Sequence, residues 1–302
     1  MDRMFKLKTT GRLLLIAICV LACAGAAGGA TRSRVVAQMY VWMQHYEERG
    51  QRVEDHLDEA FAATARAGFT EVQGWLSWFA TPELAGSTGA ALTANRLGMA
   101  AAYAGGPLHD VRASATIDGI VERSARARAY GVLTIVMNPD VRADGAEKTD
   151  EELATQARNL DFLGSRLASQ RVALAVHAHD KEMRSDGREW HHILRHTNPA
   201  NVGICLDLNW VLRGGQDPLA LLKASRGRIV DLHLRNSRDG VWLQELGPGD
   251  LDYSRFARIL RDQSYPGTLT VELAYEPRTL RNRPLEENLR RSRRFVRSVF
   301  GM

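Results

Sequence analysis

Three short stretches, VGICLDLNW (202–210), RIVDLHLRN (228–236) and GTLTVEL (267–273), share one anomaly: each is an aliphatic run carrying a residue that a buried strand ordinarily lacks. Successive side chains on a strand point to opposite faces, so the period of two decides where these residues aim. In the first stretch Val202, Ile204 and Leu206 oppose Gly203, Cys205 and Asp207. In the second, Val230, Leu232 and Leu234 oppose Asp231, His233 and Arg235, and in the third Leu269, Val271 and Leu273 oppose Thr268, Thr270 and Glu272. Upstream, VALAVHAH (172–179) repeats the pattern with His177 opposite its aliphatic face and His179 just beyond. Four consecutive strands therefore aim His177, Asp207, His233 and Glu272 at one region, near their carboxyl ends.

Working outward, apolar strand-like runs alternate with amphipathic stretches along the whole chain. Strands are expected at 35–42, 69–75, 97–106 and 132–139, followed by the four already described. Helices are expected between them at 51–68, 81–93, 115–131, 149–170, 189–196, 217–225 and 252–263, with a basic closing helix at 283–299. Thr149 with Glu152 three residues on reads as a capping box. Eight strand–helix units imply parallel strands joined by right-handed crossovers, and that number favours closure into a (β/α)8 barrel over an open sheet. No G-x-G-x-x-G follows the first strand, which argues against a dinucleotide fold. In such a barrel the carboxyl ends of the strands build the site, which is where the four polar residues fall.

The amino terminus reads separately. A basic leader (1–12), an apolar run LLLIAICVLAC (13–23) and a small-residue tail have the layout of a secretory signal peptide, so residues 1–30 are expected to be removed and 31–302 to form the barrel domain. VLAC (20–23) also has the form of a lipobox; lipidation at Cys23 and cleavage after Ala24 or Ala26 are the competing outcomes. Either places the mature protein outside the cytoplasm, periplasmic or lipid-anchored to the envelope, with the anchor its one expected membrane contact. Loss of the leader lowers the formal charge from +5 to +2, because it holds four of the basic residues and one acid. No nucleic-acid partner is implied. Of three cysteines only Cys205 lies within the barrel domain, so no internal disulfide is expected there.

Two carboxylates and two imidazoles converging on one rim suit a divalent metal ion. Oxygen and neutral-imidazole donors without thiolate fit Mn²⁺, Co²⁺, Zn²⁺, Mg²⁺ or Fe²⁺ and do not choose among them. Unpaired buried carboxylates are costly, which favours a shared cation over four independent buried groups.

These residues also carry a resemblance. VALAVHAHDKEM resembles a YHNHDFEF-type strand, LDLNWVLRGGQDP an LDxYWVxxGGxDP motif, RIVDLHLRN an RIxxLHLKD strand, and ELGPGDLDY a GEGxIDW loop. These blocks are similar to those of the sugar phosphate isomerase/epimerase family, which has the xylose isomerase-like TIM barrel, and the HNH-bearing branch is the nearest in pattern. The match spans most of 35–300 and is dense from 172 to 275. The resemblance implies one divalent metal on His177, Asp207, His233 and Glu272, and proton transfer beside a carbonyl through a metal-bound cis-enediolate. It makes Glu272 and Glu182 candidate bases, His179 a candidate shuttle, and Arg235, Asn209 and Trp210 candidate contacts to a small carbohydrate or keto-sugar. Glu182 is also a candidate ligand.

Three positions depart from the family pattern: Gln73 and Asn236 stand where many members have acids, and Pro248 where the loop has Glu. Amides hydrogen-bond but do not accept a proton at neutral pH. The leading expectation is an exported metal-dependent isomerase or epimerase. A keto-sugar lyase or dehydratase of the same fold is the runner-up, and a non-catalytic sugar-binding lipoprotein on a decayed barrel is the alternative of another class. A nuclease of this fold is disfavoured because Trp210 stands where its D-x-x-H motif needs His.

Overall fold

The computed structural model describes residues 34–302; the expected leader and Cys23 lie outside the described residues. Eight parallel strands close into a barrel: β1 (Arg34–Gln38), β2 (Glu71–Trp75), β3 (Gly98–Gly106), β4 (Thr134–Pro139), β5 (Ala173–Val176), β6 (Val202–Asp207), β7 (Ile229–Leu234) and β10 (Thr268–Val271), with β10 pairing back onto β1. This is the (β/α)8 barrel that the alternation implies. The intervening β8 (Ser237–Arg238) and β9 (Val241–Trp242) form a separate antiparallel hairpin above β7 in the chain.

The period of two sorts the side chains as expected. Leu206, Leu232, Leu234, Leu269 and Val271 belong to the large core shared with the helices, whereas Ala101, Val136, Ala175 and Cys205 form a small cluster of their own inside the barrel. Small residues there leave the width of the mouth to the polar residues two positions further on. Ala175 precedes His177, Cys205 precedes Asp207, Asp231 precedes His233 and Thr270 precedes Glu272, so each candidate ligand follows an inward residue at the carboxyl end of its strand.

Helix boundaries follow their caps. The box at Thr149 is formed, with Glu152 N donating to Thr149 Oγ1 at 3.2 Å and Thr149 N to Glu152 Oε2 at 2.8 Å, and it opens α5 (Asp150–Ser169). Helices α2 (Leu57–Arg66), α8 (Pro218–Ala224) and α9 (Tyr253–Asp262) lie within the stretches expected for them, and α3 (Pro82–Ala94), α4 (Ser114–Arg128) and α10 (Leu285–Phe300) overrun theirs by one residue.

Three local readings change. The stretch 35–42 is not one strand: it leaves the sheet after Gln38, whose side-chain oxygen accepts from Tyr40 N and closes a turn into α1 (Tyr40–Glu47). The helix expected at 189–196 is preceded by a kinked turn: α6 spans Arg184–His196, but Ser185, Asp186 and Gly187 are left-handed and interrupt it, so the regular helix begins after Gly187. A short helix α7 (Leu208–Arg213) follows Asp207 directly, because Asp207 Oδ1 accepts from Asn209 N at 2.9 Å and Trp210 N at 2.8 Å as its cap. No described helix is long and apolar enough to cross a membrane.

Candidate active site

His177, Asp207, His233 and Glu272 meet at the carboxyl ends of β5, β6, β7 and β10, each offering one donor atom within 4.8 Å of the others, and all four are buried. The imidazole of His177 is held from behind: Nδ1 lies 3.2 Å from both Tyr103 Oη and Asn138 Oδ1. Its Nε2 is buried with no hydrogen-bond partner among the described residues and lies 3.9 Å from Asp207 Oδ2. A histidine fixed through one ring nitrogen, with the other bare and facing a carboxylate, is how a protein presents a metal ligand. The donor set therefore fits a divalent ion held by these four residues.

Arg235 is the unexpected member of the cluster. Its Nη2 lies 2.8 Å from Asp207 Oδ2 and 2.8 Å from Glu272 Oε1, with the side chain 3% exposed. The guanidinium stacks 4.6 Å from the ring centre of Trp242 and 5.3 Å from that of Trp210. Burial pushes the Asp207 and Glu272 carboxyls up, but Arg235 and the histidines outweigh it; both end well below the usual carboxylate range, Glu272 at about 2. The other Glu272 oxygen is 2.6 Å from His233 Nδ1. Beneath His233 lies Asp231, 3.6 Å from its Nε2, which accepts from Thr270 Oγ1 at 2.8 Å and Gln73 Nε2 at 3.0 Å.

Beside the cluster opens a cavity of about 230 Å³ walled by Tyr40, Trp75, Tyr103, Trp210 and Trp242, with His179, Arg235 and Glu272 as its ionisable lining beyond the tyrosines. Aromatic walls with a few polar groups are the surface that binds the apolar face of a sugar ring while its hydroxyls are hydrogen-bonded. Burial holds the His179 imidazole down to about 3, so it is neutral at physiological pH. Its ring touches those of His177 and Trp210, each 4.9 Å away between centres.

The remaining candidates fall elsewhere. Asn209 is fully buried and commits both ends of its amide, accepting from Trp242 Nε1 at 2.8 Å and donating to Ser237 Oγ at 3.0 Å, so it braces the wall and is not positioned as a substrate contact. Glu182 does not join the four-residue cluster. One oxygen accepts from His179 N at 2.8 Å, and the residue borders an outer cleft of about 780 Å³ that shares His179 and Trp210 with the inner cavity. His109 borders the same cleft.

The departures from the family pattern have structural explanations. Asn236 donates from Nδ2 to the carbonyls of Gly247 and Leu251 at 2.8 and 3.0 Å, and its oxygen accepts from Ser237 N and Leu251 N. A carboxylate there would have no proton to donate. Gln73 likewise donates to Asp231, where a glutamate would face a second acid. Pro248 lies in the loop that Asn236 holds, its carbonyl accepting from Arg238. Sequence reasoning missed Tyr40, Trp75 and Tyr103. Tyr103 carried a usable signal, since it shares the inward parity of Ala101 on β3, whereas Tyr40 lies beyond a strand whose end had been misplaced.

The family profile described as xylose isomerase-like TIM barrel matches residues 61–299. The chain belongs to this family. A curated relative, inosose dehydratase of Clostridium tetani, is 27% identical over 156 residues, covering 46% of this chain and 52% of that protein. The chain thus matches about half the length of that relative. A sugar phosphate isomerase/epimerase from Parabacteroides distasonis superposes with a TM-score of 0.69 at 15% identity, covering 91% of this chain and 97% of that one. D-Allulose 3-epimerase from Methylomonas sp., solved with D-allulose, superposes at 0.69 with 15% identity and 89% and 98% coverage. At these identities the structures share the fold.

Proposed function

We propose that this xylose isomerase-like protein is a divalent-metal-dependent isomerase or epimerase of an unphosphorylated sugar or keto-sugar. The observation that carries the reading is the cluster of His177, Asp207, His233 and Glu272, whose Glu272 lines an aromatic-walled cavity of sugar size. A bound ion would polarise a sugar carbonyl and acidify the neighbouring C–H. The chain does the rest: Trp75, Trp210 and Trp242 grip the ring, and Arg235 offers positive charge at the cavity wall. His179, with no side-chain hydrogen bond among the described residues, lines the cavity as the group placed to relay the proton, a shuttle more than a strong base. Glu272 has both oxygens engaged and acts as a ligand. Return of the proton to the opposite face gives an epimer, and to the neighbouring carbon an isomer.

The similarity to inosose dehydratase favours a second reading, elimination of water from a keto-sugar in the same cavity. Incubation of the protein and Mn²⁺ with D-allulose, and separately with a keto-inositol, in deuterated water separates them. Deuterium at carbon with retained hydroxyls supports epimerisation, and an unsaturated product supports dehydration. A metal-loaded protein that binds a sugar without exchanging any carbon-bound proton would leave only the sugar-binding reading.

We also propose that the mature protein acts outside the cytoplasm, supported by the leader-like sequence at 1–30. An extracytoplasmic protein retaining Met1 would refute the processing, and mass spectrometry of the first mature residue decides between lipidated Cys23 and ordinary cleavage.

A further inference from the structure

Asp207 and Glu272 have four carboxylate oxygens between them, and all are engaged. Asp207 Oδ1 caps α7 and Glu272 Oε2 faces His233, which leaves Asp207 Oδ2 and Glu272 Oε1 as the oxygens held by the single nitrogen Nη2 of Arg235. The oxygens that a metal ion would use are thus the ones a guanidinium already holds. We propose that Arg235 is a built-in counter-cation that competes with the metal for its two acidic ligands, keeping them paired when no ion is bound and setting a deliberately weak metal affinity.

The charge balance makes both halves of this statement necessary. Asp207 and Glu272 with one guanidinium carry a net charge of −1, which a divalent ion would take to +1, while buried Asp231 beside His233 adds one negative charge to either state. Without Arg235 the acids would carry −2 and the ion would neutralise them. Like charges at these separations in a buried site are strongly repulsive, so the arginine must cost metal affinity. In return the protein depends less on the ion to fold, because both acids hydrogen-bond to the guanidinium without it and half of their charge is compensated. The guanidinium is itself held in place: Trp242 and Trp210 cover its faces, and the carbonyl of Arg235 accepts from Tyr253 Oη at 2.6 Å. Its Nε has no partner, so one of its donors is free to follow the head group if the ion displaces it.

The inference rests on the metal reading of the four-residue cluster, and its test separates the two. Chelator-treated wild type, Arg235→Gln and Arg235→Lys are titrated with Mn²⁺ by calorimetry, and their melting temperatures are followed with and without the ion. Removing the like charge is expected to tighten Mn²⁺ binding by about tenfold or more. The ion-free Gln variant should melt below wild type and recover more on adding Mn²⁺, while the Lys variant keeps an affinity near wild type. Should the Gln variant not survive chelation, it is purified with Mn²⁺ and its affinity read by competition with a chelator of known strength. Unchanged or weaker binding in the Gln variant overturns the inference and leaves the metal site standing. Tightening to the same extent in the Lys variant also overturns it, since charge would then not be the cause. Absence of Mn²⁺ binding in all three overturns the metal reading with it.

Discussion

The mouth of the barrel is made of two unlike arcs. From β5 to β10 the strands end in ionisable residues: His177, Asp207, His233 with Arg235, and Glu272. From β1 to β4 the inward residues near the same end are Gln38, Gln73, Tyr103 and Asn138, neutral at physiological pH. The neutral arc is not idle. Asn138 and Tyr103 hold His177 from behind, Gln73 reaches across to Asp231, and Tyr40, Trp75 and Tyr103 wall the cavity. One arc thus carries the charges, while the other positions them and shapes the space in front of them. A charged group is worth most where dipoles fixed in advance support it, and this division supplies that support without adding charges that would compete.

The largest test breaks the charged arc. His233→Ala should abolish stoichiometric metal binding, measured by elemental analysis, while the protein stays folded by circular dichroism. Asp207→Ala should do the same and, because it removes one of the two carboxylates that hold Arg235 and the cap of α7, should also cost about 2 kcal/mol in denaturant unfolding. Full metal occupancy in His233→Ala would remove this residue from the ligand set.

The aromatic arc is expected to respond differently. Trp75→Ala should weaken sugar binding by about 2 kcal/mol, read as a rise in KM or in the dissociation constant, with metal content unchanged. A loss of metal instead would show that the two arcs are not separable in function.

How much of this was legible in the sequence follows the same boundary. The four-residue cluster could be read because each member sits on a strand with an unbroken alternation, and the strand ends fix its depth. Arg235 had the right parity, but no local pattern shows that one nitrogen bridges acids from two other strands. The bracing role of Asn209 was hidden for a similar reason. Its amide is spoken for by Trp242 and Ser237, which are 33 and 28 residues away, and such bonds exist only once the hairpin β8–β9 is in place. Trp75 and Tyr40 escaped notice because aromatic residues at strand ends are ordinarily core, and nothing in their own neighbourhood distinguishes a cavity wall from a packed interior.

A smaller effect is expected from Gln73→Glu, which makes the neutral arc acidic. The new carboxylate would meet Asp231 across the barrel, 3.0 Å being the present separation of the Gln73 amide nitrogen from an Asp231 oxygen. Repulsion and the lost donor should lower stability by about 1.5 kcal/mol at neutral pH, and acidification toward pH 4 should relieve part of it as the pair takes up a proton. If stability is unaffected at pH 7, the glutamine is not required by its acidic neighbour, and the family's acid at this position was lost for some other reason.

The smallest effect concerns Glu182, which belongs to neither arc. Burial raises its carboxyl above the ordinary value, with Glu189 adding to the rise, and one oxygen is buried with no partner. A group whose folded-state value is raised binds its proton more tightly in the folded protein. Its contribution is favourable below the unfolded value near 4.5 and is lost as pH rises through the folded one. Glu182→Gln keeps an oxygen to accept from His179 N and removes the ionisation. The variant should therefore be slightly more stable than wild type at pH 7, with the advantage shrinking as pH falls and vanishing below about pH 4. Denaturant unfolding at several pH values checks this, and an advantage that grew on acidification would mean that Glu182 is held as a stabilised carboxylate. Sugar turnover gives a second reading of the same variant. If proton transfer belongs to His179 on the cavity wall, the Gln variant should keep its rate, whereas a large loss would move the acid–base role outward to the cleft that Glu182 borders.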